Sequence, residues 1–267
     1  MFLGHKIGVV VPARDEEPLL GDTLHNIPDF TDHILVVDDG SEDGTAEVVR
    51  SFMHVDARVE LRMHPEPAGV GGAILAGYQA LYEKGCDVVA VMAGDAQMDP
   101  ADLSAIIRPI CEDRADYVKG DRFAHDAVWT TMPFDRMFGN LVLTWVTRGV
   151  SGYAKLRDAQ CGYTAIRSTL IPSLMEHPVH PGYGFPNALL AHLGVLGVRL
   201  EQVCVRPVYG SERSGLNLGN VLRTYPGVLW KAWRFRKTHQ REGDGKVDSS
   251  PEPVDVSSNA DVGAIHH

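Results

Sequence analysis

The sequence predicts an α/β fold in which an open, mostly parallel sheet is flanked by helices. Three observations carry this prediction. Over residues 1–120, short apolar runs rich in β-branched residues alternate with longer amphipathic stretches, as strands alternate with helices. Hydrophobic residues make up 44% of the 267 residues, which is enough for a substantial buried core. The four cysteines are too few for a disulfide scaffold, and the composition excludes collagen and global disorder.

Five strands are expected in this first part of the chain. Each is a short apolar run bounded by turn residues, at 7–11, 33–37, 58–63, 87–92 and 116–119. Helices are expected between them, at 16–26, 44–52, 72–84 and 100–114. The last helix has three start signals that agree, with Asp99 as N-cap, Pro100 at the first position and Asp102 in the first turn. Helices of this length between strands favour parallel pairing with helices on both faces.

The regular alternation is lost after residue 120. A helix is predicted at 134–147, then a short strand or loop at 159–166, helices at 168–175 and 186–196, and a strand at 198–207. No linker rich in Gly, Ser or Pro precedes residue 240, so residues 1–241 are predicted to form one domain with segments 1–120, 121–215 and 216–241. Gly, Asp, Ser and Pro dominate residues 242–267, which predicts a disordered acidic tail.

The formal net charge of -10 is unevenly distributed along the chain. Residues 1–198 contain 15 basic and 27 acidic residues, residues 199–241 nine basic and two acidic, and residues 242–267 one basic and six acidic. The basic block predicts an anionic partner near this end of the chain. The acidic body argues against a broad surface for nucleic acid, so nucleic acid is not an expected partner.

Neither a secretory signal nor a membrane span is expected. Residues 1–11 lack an extended apolar region behind a basic start, and no run reaches the ~18 consecutive apolar residues of a membrane span. The cysteines form no C-x-x-C pair and lack the spacing of zinc ligands. Reduced, structural cysteines in a cytoplasmic protein are therefore the expectation.

Three polar clusters are expected at one edge of the sheet. They follow the first, second and fourth predicted strands, as V-P-A-R-D-E-E at 11–17, V-D-D-G-S-E-D-G-T at 37–45 and M-A-G-D-A-Q-M-D-P at 92–100. Ligands of open parallel sheets bind at the carboxyl ends of the strands, where these clusters fall. Carboxylates gathered there suit polar ligands and hard ions such as Mg²⁺ and Mn²⁺. Taken alone, D-D-G-S is more typical of a turn that caps the next helix.

Together the clusters resemble the family-2 glycosyltransferases of GT-A fold, whose pattern runs P-x-x-N-E-E, V-D-D-G-S-x-D-G-T and then a D-x-D-type metal motif. The resemblance extends to about residue 215. It includes G-V-G-G-A at 69–73, G-D-R-F at 120–123, D-A-Q-C-G-Y at 158–163 and Y-G-S-E-R-S-G at 209–215. These segments point to the branch of the dolichyl-phosphate mannose and glucose synthases.

The resemblance implies a nucleotide-sugar site in segment 1–120 and an acceptor side in segment 121–215. The donor-binding residues that it implies are Pro12, Ala13, Arg14, Glu16, Asp38, Asp39, Gly40, Gly71, Asp95 and Ala96. Asp38 or Asp39 is expected to accept hydrogen bonds from the base or the ribose. Asp95 and Gln97 are expected to hold Mg²⁺ or Mn²⁺ on the donor diphosphate, where the ion offsets charge on the leaving group. Ala93 replaces the first acid of D-x-D, which predicts weaker metal binding without loss of the site.

The glycine-rich turn before the third predicted helix has two interpretations. Its backbone N–H groups at Gly69, Gly71 and Gly72 would approach a phosphate, or the turn serves packing alone. Ile74 stands where G-x-G-x-x-G requires its third glycine, and no Gly-Lys-Ser or Gly-Lys-Thr occurs. Dinucleotide-binding and P-loop folds are therefore disfavoured.

Candidates for binding phosphate are the arginines Arg122, Arg136, Arg157 and Arg213, because a guanidinium holds phosphate bidentately. Arg122 and Arg213 lie in family-like motifs and are predicted, with Asp95, to be catalytic. The residues assigned to the acceptor are Arg136, Asp158 and Ser214. A solvated surface position is the alternative for Arg136 and Arg157, and orientation of an arginine is the alternative for Asp158.

The acceptor is predicted from the absence of a base motif and from the basic segment. A lipid phosphate is already anionic and needs no general base, whereas a sugar hydroxyl requires one. Residues 181–186 contain no acid where hydroxyl-acceptor branches carry such a base, which favours polyprenyl phosphate. Residues 220–241 interleave aromatic and basic side chains, which predicts peripheral membrane contact; a terminal helix packed on the body is the alternative.

The sequence therefore predicts an inverting, metal-dependent glycosyltransferase. It is expected to move a hexose from GDP-mannose or a UDP-sugar to polyprenyl or dolichyl phosphate, in the cytoplasm or at the cytoplasmic membrane face. Two alternatives stay open, a transferase of the same fold acting on a soluble small acceptor and a non-catalytic nucleotide-sugar-binding protein. The sequence indicates neither the sugar nor the oligomeric state.

Overall fold

The computed structural model describes residues 1–176, 179, 181–182, 184–208, 227, 230–231, 233–234 and 236–238. Within them, one sheet contains the strands β1 (Ile7–Ala13), β2 (His33–Asp38), β3 (Val59–Met63), β4 (Val88–Val91), β5 (Tyr117–Asp121), β6 (Thr164–Arg167) and β7 (Leu200–Cys204). The strand order is β3-β2-β1-β4-β6-β5-β7. All neighbouring strands pair in parallel except β6, which is antiparallel to β4 and to β5.

The helices of the described residues are α1 (Glu17–Asn26), α2 (Thr45–Met53), α3 (Val70–Glu83), α4 (Leu103–Cys111), α5 (Val128–Thr131), α6 (Phe134–Ser151), α7 (Ile171–Glu176) and α8 (Phe185–Val195). Short 3₁₀ turns at Pro100–Asp102, Arg122–Ala124 and Ser168–Leu170 join or extend them. No helix in these parts of the chain is long and apolar enough to cross a membrane.

The central strands are buried on both faces of the sheet, because their side chains alternate between two hydrophobic cores. In β1, Val9 and Val11 belong to the core beneath α1 and α4, whereas Val10 belongs to the core beneath α3 and α8. α3 approaches β1 closely at Gly77, where a Cβ atom would lie 2.4 Å from Val10 Cγ1. The continuous apolar runs of the sequence thus reflect strands covered on both sides.

The second half of the sheet differs from the sequence prediction in detail. The strand or loop expected at 159–166 is a turn followed by β6, which begins at Thr164 and runs antiparallel to its neighbours. The last strand is β7, shorter than the predicted 198–207, and α5 was not predicted. Pairing with distant strands decides these bounds, and such pairing leaves little trace in a local apolar pattern. The division into a domain at 1–241 and a tail stays a prediction, and residues 242–267 lie outside the described residues.

Candidate active site

The three polar clusters meet at one edge of the sheet, as the sequence predicts. Ala13 at the end of β1 pairs with Asp38 at the end of β2, and Val10 pairs with Val91 at the end of β4. Because these strands are parallel, the segments that follow them leave the sheet side by side. We call this edge the carboxylate rim.

Hydrogen bonds between the first two clusters give the carboxylate rim a defined shape. Asp15 adopts a left-handed backbone conformation with φ of 56°; its N–H donates to Ser41 Oγ over 3.0 Å, and its Oδ1 accepts from Glu42 N over 2.8 Å. The N–H of Glu16 donates to Thr45 Oγ1 over 2.9 Å. The two loops are therefore held together before any ligand binds.

The Asp39 carboxylate is hydrogen-bonded to the segment that leads into α3. Oδ1 accepts hydrogen bonds from His64 Nδ1 at 2.8 Å and Ala68 N at 2.7 Å, and Oδ2 accepts from Gly69 N at 2.8 Å. Burial by itself would raise the pKa of this carboxyl, but these hydrogen bonds and the nearby His64 outweigh burial and lower it. Asp39 is thus an anion that shapes one wall of the rim.

The other predicted donor residues of the first two clusters lie around Asp39. Pro12 and Ala13 are buried in β1, Arg14 is half exposed beside Asp15, and Gly40 follows Asp39 with φ of 77°. Asp38 is buried, and its Oδ1 accepts a hydrogen bond from Ser41 N over 2.9 Å. The structure therefore brings these residues together at the rim; their binding of the base or ribose stays a prediction.

Gly71 occupies a tight contact within the protein. Its N–H donates to the Pro181 carbonyl over 2.8 Å, and a Cβ atom at this position would lie 2.5 Å from the Phe185 ring. This amide is already used by the protein, so the contact accounts for the glycine by packing. The predicted contact of Gly71 with a donor phosphate is replaced, for this amide, by the packing interpretation.

The cluster after β4 places Asp95 on the same edge. Gly94 N donates to the Pro12 carbonyl over 3.2 Å, which ties this loop to the first cluster. Ala96 has a left-handed conformation with φ of 55°, and Gln97 N donates to Asp95 Oδ1 over 3.1 Å. Both Asp95 and Gln97 are partly exposed, in the loop that follows β4 at the carboxylate rim.

The metal prediction depends on a small set of donors. Among the described residues, no group of three or more His, Cys, Asp or Glu side chains is arranged to hold a metal ion. Asp95 and Gln97 offer a carboxylate and an amide oxygen, which are donors of the type that hard divalent ions prefer. This pair fits an ion that takes its other ligands from a diphosphate and water.

In segment 121–215, Asp158 holds Arg122 in a buried bidentate pair. Arg122 Nε lies 2.8 Å from Asp158 Oδ2 and Nη2 lies 3.0 Å from Oδ1, and the carboxylate is fully buried. Oδ1 also accepts from the backbone N–H groups of Gln160 and Cys161. Burial would raise the pKa of Asp158, but the attraction and hydrogen bonds of Arg122 lower it. Orientation of Arg122, the alternative considered for Asp158, replaces direct acceptor binding because the carboxylate is enclosed.

Two further buried charged residues, Lys119 and Asp121, lie near this pair. The Lys119 ammonium donates to the Cys161 carbonyl, and Arg157 Nε lies 2.6 Å from Asp121 Oδ2. Burial raises the pKa of Asp121, with Arg157 opposing the shift and the Asp158 charge adding to it. Arg157 thus has an ion-pair partner, and neither of the two interpretations offered for it included that role.

Segments 1–120 and 121–215 touch through Met98. Its Sδ accepts from Ala93 N over 3.3 Å, and a Cβ atom at Gly162 would lie 2.8 Å from its methyl group. The loop of Asp95 is therefore packed against the turn that begins at Asp158. Because β4 and β5 both flank β6, their carboxyl ends lie about 10 Å apart across the sheet.

The remaining predicted residues are placed less centrally or are not described. Arg136 lies in the first turn of α6 and is partly buried. Arg213 and Ser214 lie outside the described residues, as does most of segment 216–241. Their proposed roles in catalysis and acceptor binding stay predictions.

The chain was compared with known protein families and structures. The family model for glycosyl transferase family 2 matches residues 8–174, which is more than half of the chain. The chain belongs to glycosyl transferase family 2. The match spans all three clusters of the carboxylate rim and the buried pair of Arg122 and Asp158.

Relatives of this glycosyltransferase support the same family. It is 30% identical over 228 residues to the UDP-N-acetylglucosamine–dolichyl-phosphate N-acetylglucosaminyltransferase of Methanococcus voltae, with 80% of this chain and 83% of that one covered. It is 27% identical over 242 residues to the undecaprenyl-phosphate mannosyltransferase of Micrococcus luteus, with coverage of 86% and 98%.

The fold is also found among solved structures. The glucosyl-3-phosphoglycerate synthase of Mycobacterium tuberculosis, in complex with Mn²⁺ and UDP-glucose, matches with a TM-score of 0.67 and 20% identity over 86% of this chain and 79% of that one. At this identity the likeness shows the fold alone. The prediction of a GT-A fold with an open, mostly parallel sheet is confirmed.

The sequence prediction missed several residues that shape the site. His64, whose Nδ1 lies 2.8 Å from Asp39 Oδ1, was not considered, because it lies in an irregular segment without a recognisable motif. Lys119 was taken as a strand residue, and Asp121 only as part of the G-D-R-F segment at 120–123. A lysine at the end of a strand predicted to be buried, with an aspartate two residues later, was a signal that could have identified them, because buried charges require partners.

Proposed function

We propose that this family-2 glycosyltransferase transfers a hexose, with inversion, from a nucleotide sugar such as GDP-mannose or a UDP-sugar to the phosphate of a polyprenyl or dolichyl phosphate. The observation that carries the proposal is the Arg122–Asp158 pair, which holds a guanidinium on the sheet edge that also carries the donor-side carboxylates. The names of the relatives, which act on dolichyl and undecaprenyl phosphates, support this acceptor class.

The donor side is proposed to bind the nucleotide. The rim segments are linked through Asp15, Ser41 and Asp39. Because these segments are already ordered, ligand binding costs less conformational entropy. Asp38, at the end of β2, is proposed to accept a hydrogen bond from the base or ribose. Arg14 and Glu16 line the same edge.

Asp95 and Gln97 are proposed to hold Mg²⁺ or Mn²⁺ beside the donor diphosphate. The ion, when bound, supplies positive charge that stabilises the leaving nucleoside diphosphate. The chain itself contributes the fixed position of Asp95, set by the hydrogen bonds from Gln97 N to Asp95 and from Gly94 N to Pro12. With Ala93 in place of a second acid, the site depends on the diphosphate for part of its affinity.

The proposed transfer needs no general base. A phosphate oxygen of the acceptor forms a bond to the anomeric carbon as the bond from that carbon to the donor diphosphate breaks, and the nucleoside diphosphate leaves with the electron pair. Lipid phosphate is anionic at neutral pH, so no proton has to be removed from the nucleophile. Arg122 is proposed to position phosphate, because the Asp158 carboxylate restricts the orientation of its guanidinium.

The acceptor and the location of the protein are proposed together. Polyprenyl phosphate resides in a membrane, and segment 220–241 is proposed to make peripheral contact with the cytoplasmic face. Its described residues include the exposed side chains of Trp230 and Trp233. Aromatic and basic side chains together favour an interface of lipid headgroups.

Sugar transfer from GDP-mannose, UDP-glucose and UDP-N-acetylglucosamine to a short polyprenyl phosphate tests the proposal, in the presence and absence of Mn²⁺. We expect transfer to require a divalent ion, and Asp95→Ala to lower kcat by ~100-fold or more, because leaving-group stabilisation is lost. Asp22→Ala, on the exposed side of α1, is the matched control and is expected to retain full activity.

Three outcomes contradict the proposal. Transfer to a soluble phosphorylated or hydroxyl acceptor, with none to the polyprenyl phosphate, would identify the alternative acceptor class. Binding of nucleotide sugars with neither transfer nor donor hydrolysis would favour a non-catalytic binding protein. Full activity of Asp95→Ala would refute the metal-site assignment.

A further inference from the structure

Helix α6 carries its apolar side chains outward. Phe134, Phe138 and Trp145 are 75%, 62% and 73% exposed, and Leu141 and Val142 between them are exposed as well. Four of these positions follow the spacing i, i+4, i+7 and i+11, which places them on one side of a helix. We call these five residues the apolar face of α6. Among the α6 residues whose side chains are described, every exposed one is apolar or glycine.

The opposite side of α6 is polar and buried. Asn140, Thr144, Thr147 and Ser151 lie there and follow the same spacing, and Val150 is buried with them. Thr144 Oγ1 accepts from Ala159 N over 3.0 Å, and Thr147 Oγ1 accepts from Asn187 Nδ2 over 2.5 Å. Rotation of α6 to bury its apolar face would break these bonds and leave buried polar groups unpaired. Hydrogen bonds of Thr144 and Thr147 therefore hold α6 with its polar side buried and its apolar face exposed.

The apolar surface reaches the acceptor side of the site. Trp129, in α5, is also exposed, and its ring centroid lies 6.2 Å from that of Phe123, the neighbour of Arg122. On the buried side of α6, the residue bonded to Thr144 is Ala159, which follows Asp158 in the chain. One helix thus contacts the turn that holds Arg122 and presents aromatic side chains outward.

Basic and aromatic residues adjoin the other end of α6. Arg236 Nη1 donates to the carbonyls of Gly149 and Val150 at 3.1 and 3.4 Å, in the last turns of the helix. The neighbouring described residues are helical and exposed, with Arg234 over the Trp230 ring at 5.5 Å and Lys237 over the Trp233 ring at 4.4 Å. Cationic groups therefore stand beside the apolar face, where lipid headgroups would meet them.

We propose that the apolar face of α6 inserts into the interface of an anionic lipid bilayer, with the basic residues around Arg236 contacting the headgroups. An exposed apolar patch of this kind marks a site of contact with a membrane or another protein. Aromatic side chains flanked by cations are complementary to the boundary between acyl chains and anionic headgroups. This contact is additional to segment 220–241 and would orient the Arg122 side of the site toward the membrane.

Co-sedimentation of the full chain with vesicles of phosphatidylcholine and phosphatidylglycerol tests the inference. We expect the triple variant Phe134→Ser, Phe138→Ser, Trp145→Ser to bind at least ~30-fold more weakly, because affinity for an interface scales with the apolar area inserted. The matched control is Leu3→Ser, Met53→Ser, Val55→Ser, which changes exposed apolar residues at the amino-terminal edge of the sheet and is expected to bind like the wild type. Vesicles of phosphatidylcholine alone should bind the wild type more weakly.

A spectroscopic measurement locates the contact. The variant Trp129→Phe, Trp230→Phe, Trp233→Phe retains Trp145 as its one tryptophan. Its emission is expected to shift to shorter wavelength on vesicles and to be quenched by brominated lipids. Unchanged emission from vesicle-bound protein, or wild-type binding by the serine triple variant, would overturn the inference.

The remaining alternative is a second copy of this chain on the same face. Sedimentation equilibrium of the wild type and the serine triple variant separates the two occupants. A dimer that the triple variant abolishes, combined with absence of vesicle binding, would overturn the lipid assignment. All these measurements omit donor and acceptor, so the membrane contact and the proposed transfer reaction can fail independently.

Discussion

Asp39 in segment 1–120 and Asp158 in segment 121–215 are both buried carboxylates, yet their partners differ in kind. Asp39 binds His64 and two backbone N–H groups of the segment before α3. Asp158 binds the guanidinium of Arg122 through two hydrogen bonds. The first carboxylate shapes a loop, whereas the second fixes a cation. Buried carboxylates at one sheet edge can therefore have different roles, one holding a backbone segment and the other fixing the position of a charged side chain.

Asp121 sharpens this contrast, because it lies beside Asp158 but its pKa shifts in the opposite direction. Burial raises the pKa of Asp121, whereas hydrogen bonds and nearby positive charge lower the pKa of Asp39 and of Asp158 against the effect of burial. Segment 121–215 thus contains one carboxylate, Asp158, whose burial is fully offset by its partners, and one, Asp121, whose burial is offset only in part.

Asp158→Ala should have the largest effect, because it leaves the partly buried guanidinium of Arg122 without its counter-ion. We expect a loss of ~3–5 kcal/mol in the free energy of unfolding, measured by urea denaturation. Glu47→Ala, which removes an exposed ion pair with Arg50, should cost no more than ~0.5 kcal/mol.

A double variant separates charge placement from packing at the same pair. Asp158→Leu with Arg122→Met should recover part of the stability, because an apolar pair replaces the ion pair while the N–H groups of Gln160 and Cys161 lose their acceptor; it should not recover transfer activity. A cost below ~1 kcal/mol for Asp158→Ala would contradict the buried pair.

Gly71→Ala should destabilise the contact between the donor segment and the start of α8. A methyl group would overlap the Phe185 ring and the Pro181 carbonyl, at an expected cost of ~1–3 kcal/mol. Gly139→Ala, at a position in α6 with open space around it, is the control and should gain ~0.5–1 kcal/mol. Unchanged stability together with lost nucleotide binding would restore the phosphate interpretation of this turn.

Asp39→Asn should have a smaller effect on stability. An amide retains one acceptor oxygen but places an NH₂ group against backbone N–H donors of Ala68 or Gly69. We expect a loss of ~1–2 kcal/mol by urea denaturation, because water reaches the exposed segment at 65–68 and replaces part of the lost bonding. Ser51→Ala, an exposed control on α2, should leave stability nearly unchanged. A loss as large as that of Asp158→Ala would remove the distinction between the two carboxylates.

The smallest expected effect is a difference in pH dependence. The pKa of Asp39 is lowered in the folded state, so its stabilising contribution is present above the unfolded value of 3.8 and is lost as pH falls through the folded value. The pKa of Asp121 is raised, so its contribution is largest below 3.8 and is lost as pH rises through the folded value.

Comparison of the wild type with two variants measures how each carboxyl changes the free energy of unfolding with pH. The stability advantage of the wild type over Asp39→Asn should shrink as the solution becomes acidic, whereas its advantage over Asp121→Asn should shrink as pH rises. Urea denaturation at several pH values around 3.8 provides both slopes. Slopes of equal sign would contradict the assignment of the two pKa shifts.

Local patterns in the sequence were sufficient for much of the fold. The apolar runs and the helix-start signals at Asp99 and Pro100 predicted the first five strands and four helices within a few residues, and Asp99 accepts the expected capping hydrogen bond from Ala101 N. Such signals act over a few residues and are visible in the sequence. The antiparallel direction of β6 was not predictable in this way, because it depends on pairing with β4 and β5.

By itself the sequence determined the α/β class, the clustering of polar motifs at one sheet edge and the resemblance to family-2 glycosyltransferases. Only the tertiary structure decided what each charged group touches, that Asp39 holds the segment before α3 and that Asp158 holds Arg122. It also decided that the apolar side of α6 faces outward, since the periodicity of a helix does not show which side is buried. The physical reason is that partners and burial arise from contacts between residues far apart in the chain.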